Sequence, residues 1–543
     1  MIATAETVSE SPRKLGQRLA AYTPAFLIIA GLIARLVSAH SKFLNADEAM
    51  HYLLSLQPSF SETYRASLGT THPPLLIVLL HYWGMIAGNE FFLRLPSVIA
   101  GSAAGWFLYA WIRDVSTREA ACIALALFLF SPALIYISAE VRQYSLLLCF
   151  MAAALYFLER ALAKNSASRM LVSAAFLYLA VLTHYCALIF ALSIAAYGLL
   201  RVAAGQARRF LLATWTFTQL GWITLFAFLW KTHIAVIRHK PLTQDVAQSY
   251  LRNSLFHRGE ENVLAFLAKE SIRLFHFLFS QGAISVLGLA IFIIGLVVVF
   301  RTKDPGSAAM RPRGRQLGFL LLLPFAINFI AALADVYPYG GTRHNAYLAI
   351  FAMPPIAIAV ARWNPKWKWA KAVAVGAALL ICNFTVTPAG AYIKPKNQKR
   401  ELMEAAVHYL RVSAPPGSAI LTDYESGLLL SYYLCNRDIT HRGEPLGSFY
   451  QSRCGEYETV SLLPRLWVFR SEAFPAQIGE VAKTLRQGQQ LWLFQAGFIV
   501  DREPEFQALL GQNGCPNPRT FGRNILVCQI SPELNTQNKR RAM

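Results

Sequence analysis

Five stretches of the chain contain no Asp, Glu, Lys or Arg: Ala121–Ala139, Phe210–Trp230, Ala283–Phe300, Leu317–Ala334 and Ala372–Ile393. Each approaches or exceeds the ~20 apolar residues with which a helix crosses ~30 Å of hydrocarbon. Lipid offers no partner for a free peptide group, so runs of this kind are satisfied as helices. Charged residues make up 15% of the 543, against about 25% in ordinary soluble domains. A soluble enzyme, a disordered chain and a fibrous protein are thereby excluded. The pattern predicts an all-α polytopic membrane protein.

The net charge of +21, from 51 Lys+Arg against 30 Asp+Glu, does not point to nucleic acid. The basic residues sit in short clusters between apolar runs, as in cytoplasmic loops. The clusters are Arg113/Arg118, Arg160/Lys164/Arg169, Arg201/Arg208/Arg209, Arg301–Arg315 with Lys303, and Arg362/Lys366/Lys368/Lys371. Arg13, Lys14 and Arg18 precede a first apolar stretch, 19–40. Val37-Ser38-Ala39 loosely fits a signal-peptide cleavage site, but Arg35 beside it disfavours cleavage. The first span is therefore read as uncleaved, with the N-terminus in the cytoplasm. Pro73–Ala87 is short, opens on Pro-Pro and is interrupted by His81, so it is expected to lie on the outer surface. Further spans are expected near 95–112, 119–138, 145–162, 168–184, 186–203, 210–230, 276–300, 316–334, 346–361 and 372–391. About eleven transmembrane helices result, with the C-terminus outside.

Two domains are expected: a transmembrane unit over 1–393 and a small extracytoplasmic α/β domain over 394–543. The second is polar and mixed, with strand-like runs at Ala419–Leu421, Leu491–Phe494 and Asn524–Ile530. It holds Cys435, Cys454, Cys515 and Cys528. An even number in an exported domain predicts two disulfides, with three connectivities open; proximity favours 435 with 454 and 515 with 528. Cys122, Cys149, Cys186 and Cys382 lie in spans as packing residues. There is no Cys-x-x-Cys, Walker A loop or Gly-x-Gly-x-x-Gly, so nothing points to a zinc or redox site or to nucleotide hydrolysis.

With this topology the chemically capable side chains collect outside. They are Asp47-Glu48, His51 and Tyr52, Thr71-His72, Glu140 to Tyr144, Thr183-His184-Tyr185, and Asp335 to Asn345 with Tyr337, Tyr339, Arg343 and His344. Each alone has a plain explanation: a solvated loop, a snorkelling arginine, a packing histidine, an aromatic belt. Five loops converging on one face are what an active site at the membrane–water boundary requires. The segment Lys231–Arg273 is also external yet holds seven basic residues against four acids, which suits an anionic headgroup or phosphate.

The order of short motifs carries a resemblance. Asp47-Glu48 follows the first span; then come His72-Pro73-Pro74-Leu75, Arg94-Leu95-Pro96-Ser97, Ser131-Pro132 with Glu140-x-Arg142-x-Tyr144, His184-Tyr185, and Arg343-His344 before a proline-containing span. Over roughly 20–390 the chain resembles the bacterial relatives of protein O-mannosyltransferases and the lipid A aminoarabinose transferase, membrane glycosyltransferases of the GT-C type. The resemblance implies transfer of a sugar from a polyprenyl-phosphate donor to a lipid, glycan or protein acceptor at the outer face of the inner membrane. It implies Asp47, with Glu48 beside it, as the catalytic carboxylate that takes the acceptor's hydroxyl proton. Arg142, Tyr144 and Arg343 become the donor-phosphate contacts, and His72, His184, Tyr185 and His344 further substrate contacts. Many relatives have Arg-Tyr where this chain has Arg343-His344. The aminoarabinose transferase also places a further acidic residue late in the first loop; here Glu62 precedes His72 without a definite alignment to it. Asp47-Glu48 offers oxygens to a divalent cation, but the spacing shows no dedicated metal cage.

Two other functions compete. A polysaccharide polymerase or ligase with a diphosphate-linked donor would need external arginines but not the Asp47 carboxylate. A lipid-linked sugar transporter would need mid-membrane polar groups and repeated broken helices; Pro324, Asn328 and Pro354-Pro355 are the only such oddities.

Overall fold

A computed structural model describes residues 12–204, 209–237, 251–302, 311–367, 369–384, 399–435, 437, 445–497, 510, 511, 515, 518–522 and 525–530. The expected boundary at 393/394, the middle of the basic segment 231–273, and Arg208, Lys303 and Lys368 lie outside these residues. Each of the eleven expected spans overlaps helix among the described residues, the last, 372–391, being described only to residue 384. Among the described residues, seven are long and apolar enough to cross a membrane: Ala21–His40, Glu90–Val115, Tyr144–Lys164, Arg209–Ile237, Gly282–Phe300, Gly314–Leu333 and Arg343–Arg362. Three more, Ala167–Val181, Ala187–Ala203 and Ala370–Phe384, are shorter apolar helices.

The remaining expected span is broken. Arg118–Leu129 and Pro132–Ser138 meet at 60°, because Pro132 lacks an N–H and its ring clashes with the preceding turn. The break exposes helix-end carbonyls inside the bundle, and Arg35 answers one of them. Its side chain is fully buried and donates to Leu129 O at 2.8 Å. The span expected at 276–300 also needs correction: Val263–Phe279 is a separate helix, ended by Ser280 at φ 60°, and the crossing helix starts at Gly282. The chain carries no Asp, Glu, Lys or Arg from Leu274 to Phe300, so charge alone does not mark the break at Ser280-Gln281. Met170–Leu200 is two helices, Ala167–Val181 and Ala187–Ala204, as the charge pattern requires.

Leu75–Gly84, inside the stretch placed on the surface, has only 10 residues, about 15 Å of helix. Beside it lies Ala46–Ser55, whose start is written in the sequence. Asn45 caps Glu48 N at 3.0 Å while the Glu48 carboxylate returns to Asn45 N at 3.0 Å, a reciprocal capping box.

The C-terminal part forms one six-stranded sheet from β1 (Ala419–Thr422), β2 (Phe449–Cys454), β3 (Tyr457–Leu462), β4 (Leu491–Ala496), β5 (Arg519–Phe521) and β6 (Ile525–Ile530). The order is β2-β3-β1-β4-β6-β5, parallel at β1–β3 and β1–β4 and antiparallel elsewhere. Both disulfides pair as proximity suggested, Cys435–Cys454 and Cys515–Cys528. One core beside the sheet is not its own. Phe43, Ala49 and Leu53 of the first loop are buried with Met403, Leu410, Leu429 and Phe494. Tyr432 Oη donates to Gly88 O at 2.8 Å, and Leu44 N donates to Tyr433 Oη at 2.8 Å. The C-terminal sheet thus forms part of the bed for the helix that carries Asp47.

Candidate active site

Segments around Asp47, His72, Arg142, His184 and Arg343 meet at one end of the bundle, and two arginines converge there on one carboxylate. Asp47 Oδ2 lies 2.8 Å from Arg142 Nη1 and 2.8 Å from Arg343 Nη2. Arg142 stands in the short turn after the bent helix pair; Arg343 opens the helix 343–362. The two guanidiniums lie 5.7 and 5.9 Å from the Tyr144 ring centroid. Burial alone would raise the Asp47 carboxyl, but Arg142 and then Arg343 outweigh it and hold it well below the usual carboxylate range. Glu140 goes the other way: burial first, then the Glu48 charge, push its carboxyl up.

The Arg343 loop is anchored from below. Asn328, fully buried in its helix, donates to Pro338 O at 3.0 Å and accepts from Tyr347 Oη at 2.7 Å. Tyr339 Oη lies 2.9 Å from Ser271 Oγ, and Tyr337 Oη donates to His344 O at 3.0 Å. Asn328 is therefore a structural brace, which removes the main polar group that had favoured transport. Lys269 and Arg273 of the basic segment pair with Glu261 and Glu270, so its described charges are partly spent within the protein.

Glu48, expected beside Asp47 in the catalytic pair, is bound to Arg94. Its side chain is 1% exposed, against 13% for Asp47. Oε1 accepts from Arg94 Nε at 2.8 Å and Val141 N at 2.7 Å; Oε2 accepts from Arg94 Nη2 at 2.8 Å and Asn45 N at 3.0 Å. Four bonds fill the carboxylate's acceptor capacity. Arg94 spends its remaining donors on Ala39 O, Lys42 O and Phe43 O. Glu48 therefore joins the first loop to the bundle.

The other expected residues assemble in part. The rings of His72 and His184 lie 5.2 Å apart, with His344 5.9 Å from His184 and 6.1 Å from Tyr144. Tyr144 Oη and His184 Nε2 are buried and, among the described residues, lack a hydrogen-bond partner. Such groups cost about 1–3 kcal/mol each in a dry site. Tyr185 is turned elsewhere, its hydroxyl bonded to His233. His51 has no role assigned from sequence. It lies one turn after Asp47 and its ring is 6.2 Å from that of His72. The i,i+4 spacing on a capped helix was the available signal. Among the described residues no group of three His, Cys, Asp or Glu is arranged to hold a metal ion.

Burial, and after it the Arg142 charge, push His51 and His184 down to about 3; burial and then His184 hold His72 well below its ordinary value. The unfolded chain, with histidines near ~6.5, binds more protons below that pH than the fold does. The stability these neutral rings contribute is complete above ~6.5 and is lost as pH falls toward ~3, by at most about 1.4 kcal/mol per pH unit per histidine. Thermal midpoints should therefore drop between about pH 7 and 5, and less steeply for His184→Gln. An equal slope in that variant would contradict the placement.

Residues 71–231 match the family described as dolichyl-phosphate-mannose-protein mannosyltransferase. That segment holds His72, Arg142, Tyr144, His184 and Tyr185, but not Asp47 or Arg343. No curated protein sequence matches. Among solved structures, ArnT from Cupriavidus metallidurans in the apo state superposes with a TM-score of 0.52 at 13% identity, over 94% of this chain and 98% of that one. The same protein bound to undecaprenyl phosphate gives 0.51 at 14% identity, with the same coverage. The archaeal oligosaccharyltransferase AglB from Archaeoglobus fulgidus, in complex with an inhibitory peptide and dolichol-phosphate, gives 0.46 at 12% identity over 90% and 71%. The ArnT superposition shows that the chain has a GT-C type fold, a multi-pass helical membrane unit with a small sheet domain.

Proposed function

We propose that this protein is a membrane glycosyltransferase that moves a sugar from a polyprenyl-phosphate carrier to an acceptor hydroxyl. The reading rests above all on Asp47 shared between Arg142 and Arg343, with the orphaned Tyr144 Oη and His184 Nε2 close by. The ArnT likeness supports it, since one of those structures holds undecaprenyl phosphate, as does the family match over 71–231.

The donor's phosphodiester is an anion, and two guanidiniums are its natural partners. When it binds, it draws Arg142 and Arg343 from the carboxylate, and Tyr144 and His184 gain an acceptor or donor they now lack. Asp47 meanwhile becomes a stronger base, because the charges that depress it are shared with the phosphate. The acceptor oxygen then attacks the anomeric carbon as Asp47 takes its proton. The bond from that carbon to the phosphate oxygen breaks, its electron pair stays on the oxygen, and polyprenyl phosphate departs. The arginines stabilise the added charge, so no strong acid is needed. Neutral histidines nearby offer hydrogen bonds to sugar hydroxyls.

In this reading the site and the domain 394–543 face the periplasm and the N-terminus the cytoplasm. Two disulfides in that domain fit an oxidising compartment. Mass spectrometry of lipid-linked sugars and glycoconjugates in host membranes, with and without the gene, tests the function. One polyprenyl-phosphate sugar should accumulate and one glycoconjugate vanish; a diphosphate-linked sugar accumulating instead would favour a polymerase or ligase.

A further inference from the structure

The loops carrying His72 and His184 share one backbone bond, Leu75 N donating to Leu182 O at 3.1 Å, and are joined a second time through a residue that the reaction above does not use. His233 lies in a π-helical turn, Trp230–Ile234, that continues the helix Arg209–Leu229, and it is fully buried. Such wide turns are rare and recur at functional sites. His233 Nε2 is 2.8 Å from Thr70 O. A carbonyl oxygen only accepts, so Nε2 carries the proton. In the neutral ring Nδ1 is then an acceptor, and it takes the Tyr185 hydroxyl.

The connections continue on both sides. Thr70 Oγ1 donates to His72 O at 3.0 Å and accepts from His72 N at 3.3 Å. Tyr185 directly follows His184, whose ring lies 5.2 Å from that of His72. The path from His233 through Thr70, His72, His184 and Tyr185 returns to its start. It spans three separate segments of the chain, so neither histidine loop is set by local sequence alone.

We propose that His233 is a positioning residue that braces the Thr70–His72 loop against the His184–Tyr185 turn, fixing two histidines of the donor site. The inference rests on the reading of that site given above. A histidine that merely filled space would be replaceable by an apolar residue of similar bulk. A brace needs one donor and one acceptor in the same places.

The test uses the full chain in lipid nanodiscs and compares His233→Leu with His233→Gln, which retains a donor for Thr70 O and an acceptor for Tyr185. Hydrogen exchange over 69–75 and 182–188 is read together with affinity for undecaprenyl phosphate. His233→Leu should speed exchange in both segments and weaken binding roughly tenfold, the loss of about one well-made hydrogen bond. His233→Gln should restore both. Faster exchange in one segment only, a general loosening, or binding unchanged in His233→Leu would overturn the brace. Should the unaltered chain fail to bind the lipid phosphate, the functional reading falls; the brace is then decided by exchange alone, paired loosening with rescue upholding it.

Discussion

Asp47→Asn is expected to lower turnover by about 10²–10⁴-fold while leaving the affinity for undecaprenyl phosphate equal or higher. The two halves of this expectation have one source. Asp47 is both the proton acceptor and the partner of Arg142 and Arg343. An amide cannot accept the acceptor's proton, so chemistry fails. It also ceases to compete with the donor phosphate for the guanidiniums, so binding does not suffer. A carboxylate that only held the arginines in place would behave otherwise, because its loss would disorder them and weaken binding. Loss of the Asp47 charge beside the two arginines costs stability, so Asp47→Glu serves as the companion variant. It keeps the charge but moves it by one methylene, and turnover should fall while the thermal midpoint stays near that of the unaltered protein. The measurement is turnover per folded molecule, from the lipid-linked sugar consumed, with lipid-phosphate affinity measured on the same preparations. Unchanged turnover in Asp47→Asn would remove Asp47 from the chemistry and favour a diphosphate-dependent polymerase or ligase.

Much of this arrangement is legible in the chain before folding, and the gaps have physical causes. Uncharged runs report spans because lipid penalises charge whatever the tertiary packing. Cys435 and Cys454 found each other because little chain separates them. The meeting of Asp47, Arg142 and Arg343 followed from topology, since loops on one side of a bundle share a small area. Arg35 and Arg94 were not legible as core residues. Their burial depends on carbonyls and carboxylates contributed by distant segments, which no local window contains. The same limit hid the partnership of Tyr185 with His233, across 48 positions. The break at Pro132 stood in plain view. It lies in an unbroken apolar run, yet a proline inside a span is where the backbone must give way. Phe43, Ala49 and Leu53 carried their own ambiguity, since an amphipathic helix at a membrane surface and one docked under a sheet show the same pattern.

Adjacent carboxylates make the sharpest case, because on a helix neighbouring residues point about 100° apart and only one of the pair faces Arg142 and Arg343. The other, Glu48, should be needed for folding and not for chemistry. With its side chain and that of Arg94 each 1% exposed, removing one partner strands a charge in a dry setting. Such losses run to about 3–5 kcal/mol, a large part of the stability of most proteins. Glu48→Gln should therefore lower the thermal midpoint and the yield of assembled protein steeply. The molecules that do assemble should keep turnover within about threefold, since Asp47 and its arginines are untouched. Arg94→Met should be similarly destabilising, because it leaves the Glu48 carboxylate with two backbone donors and no cation. Changing both partners together, Glu48→Gln with Arg94→Met, should cost less than the sum of the single changes, as expected for groups in direct contact. Midpoints and turnover per folded molecule across this cycle decide the matter. A Glu48→Gln protein of normal stability whose turnover has collapsed would return Glu48 to the catalytic pair.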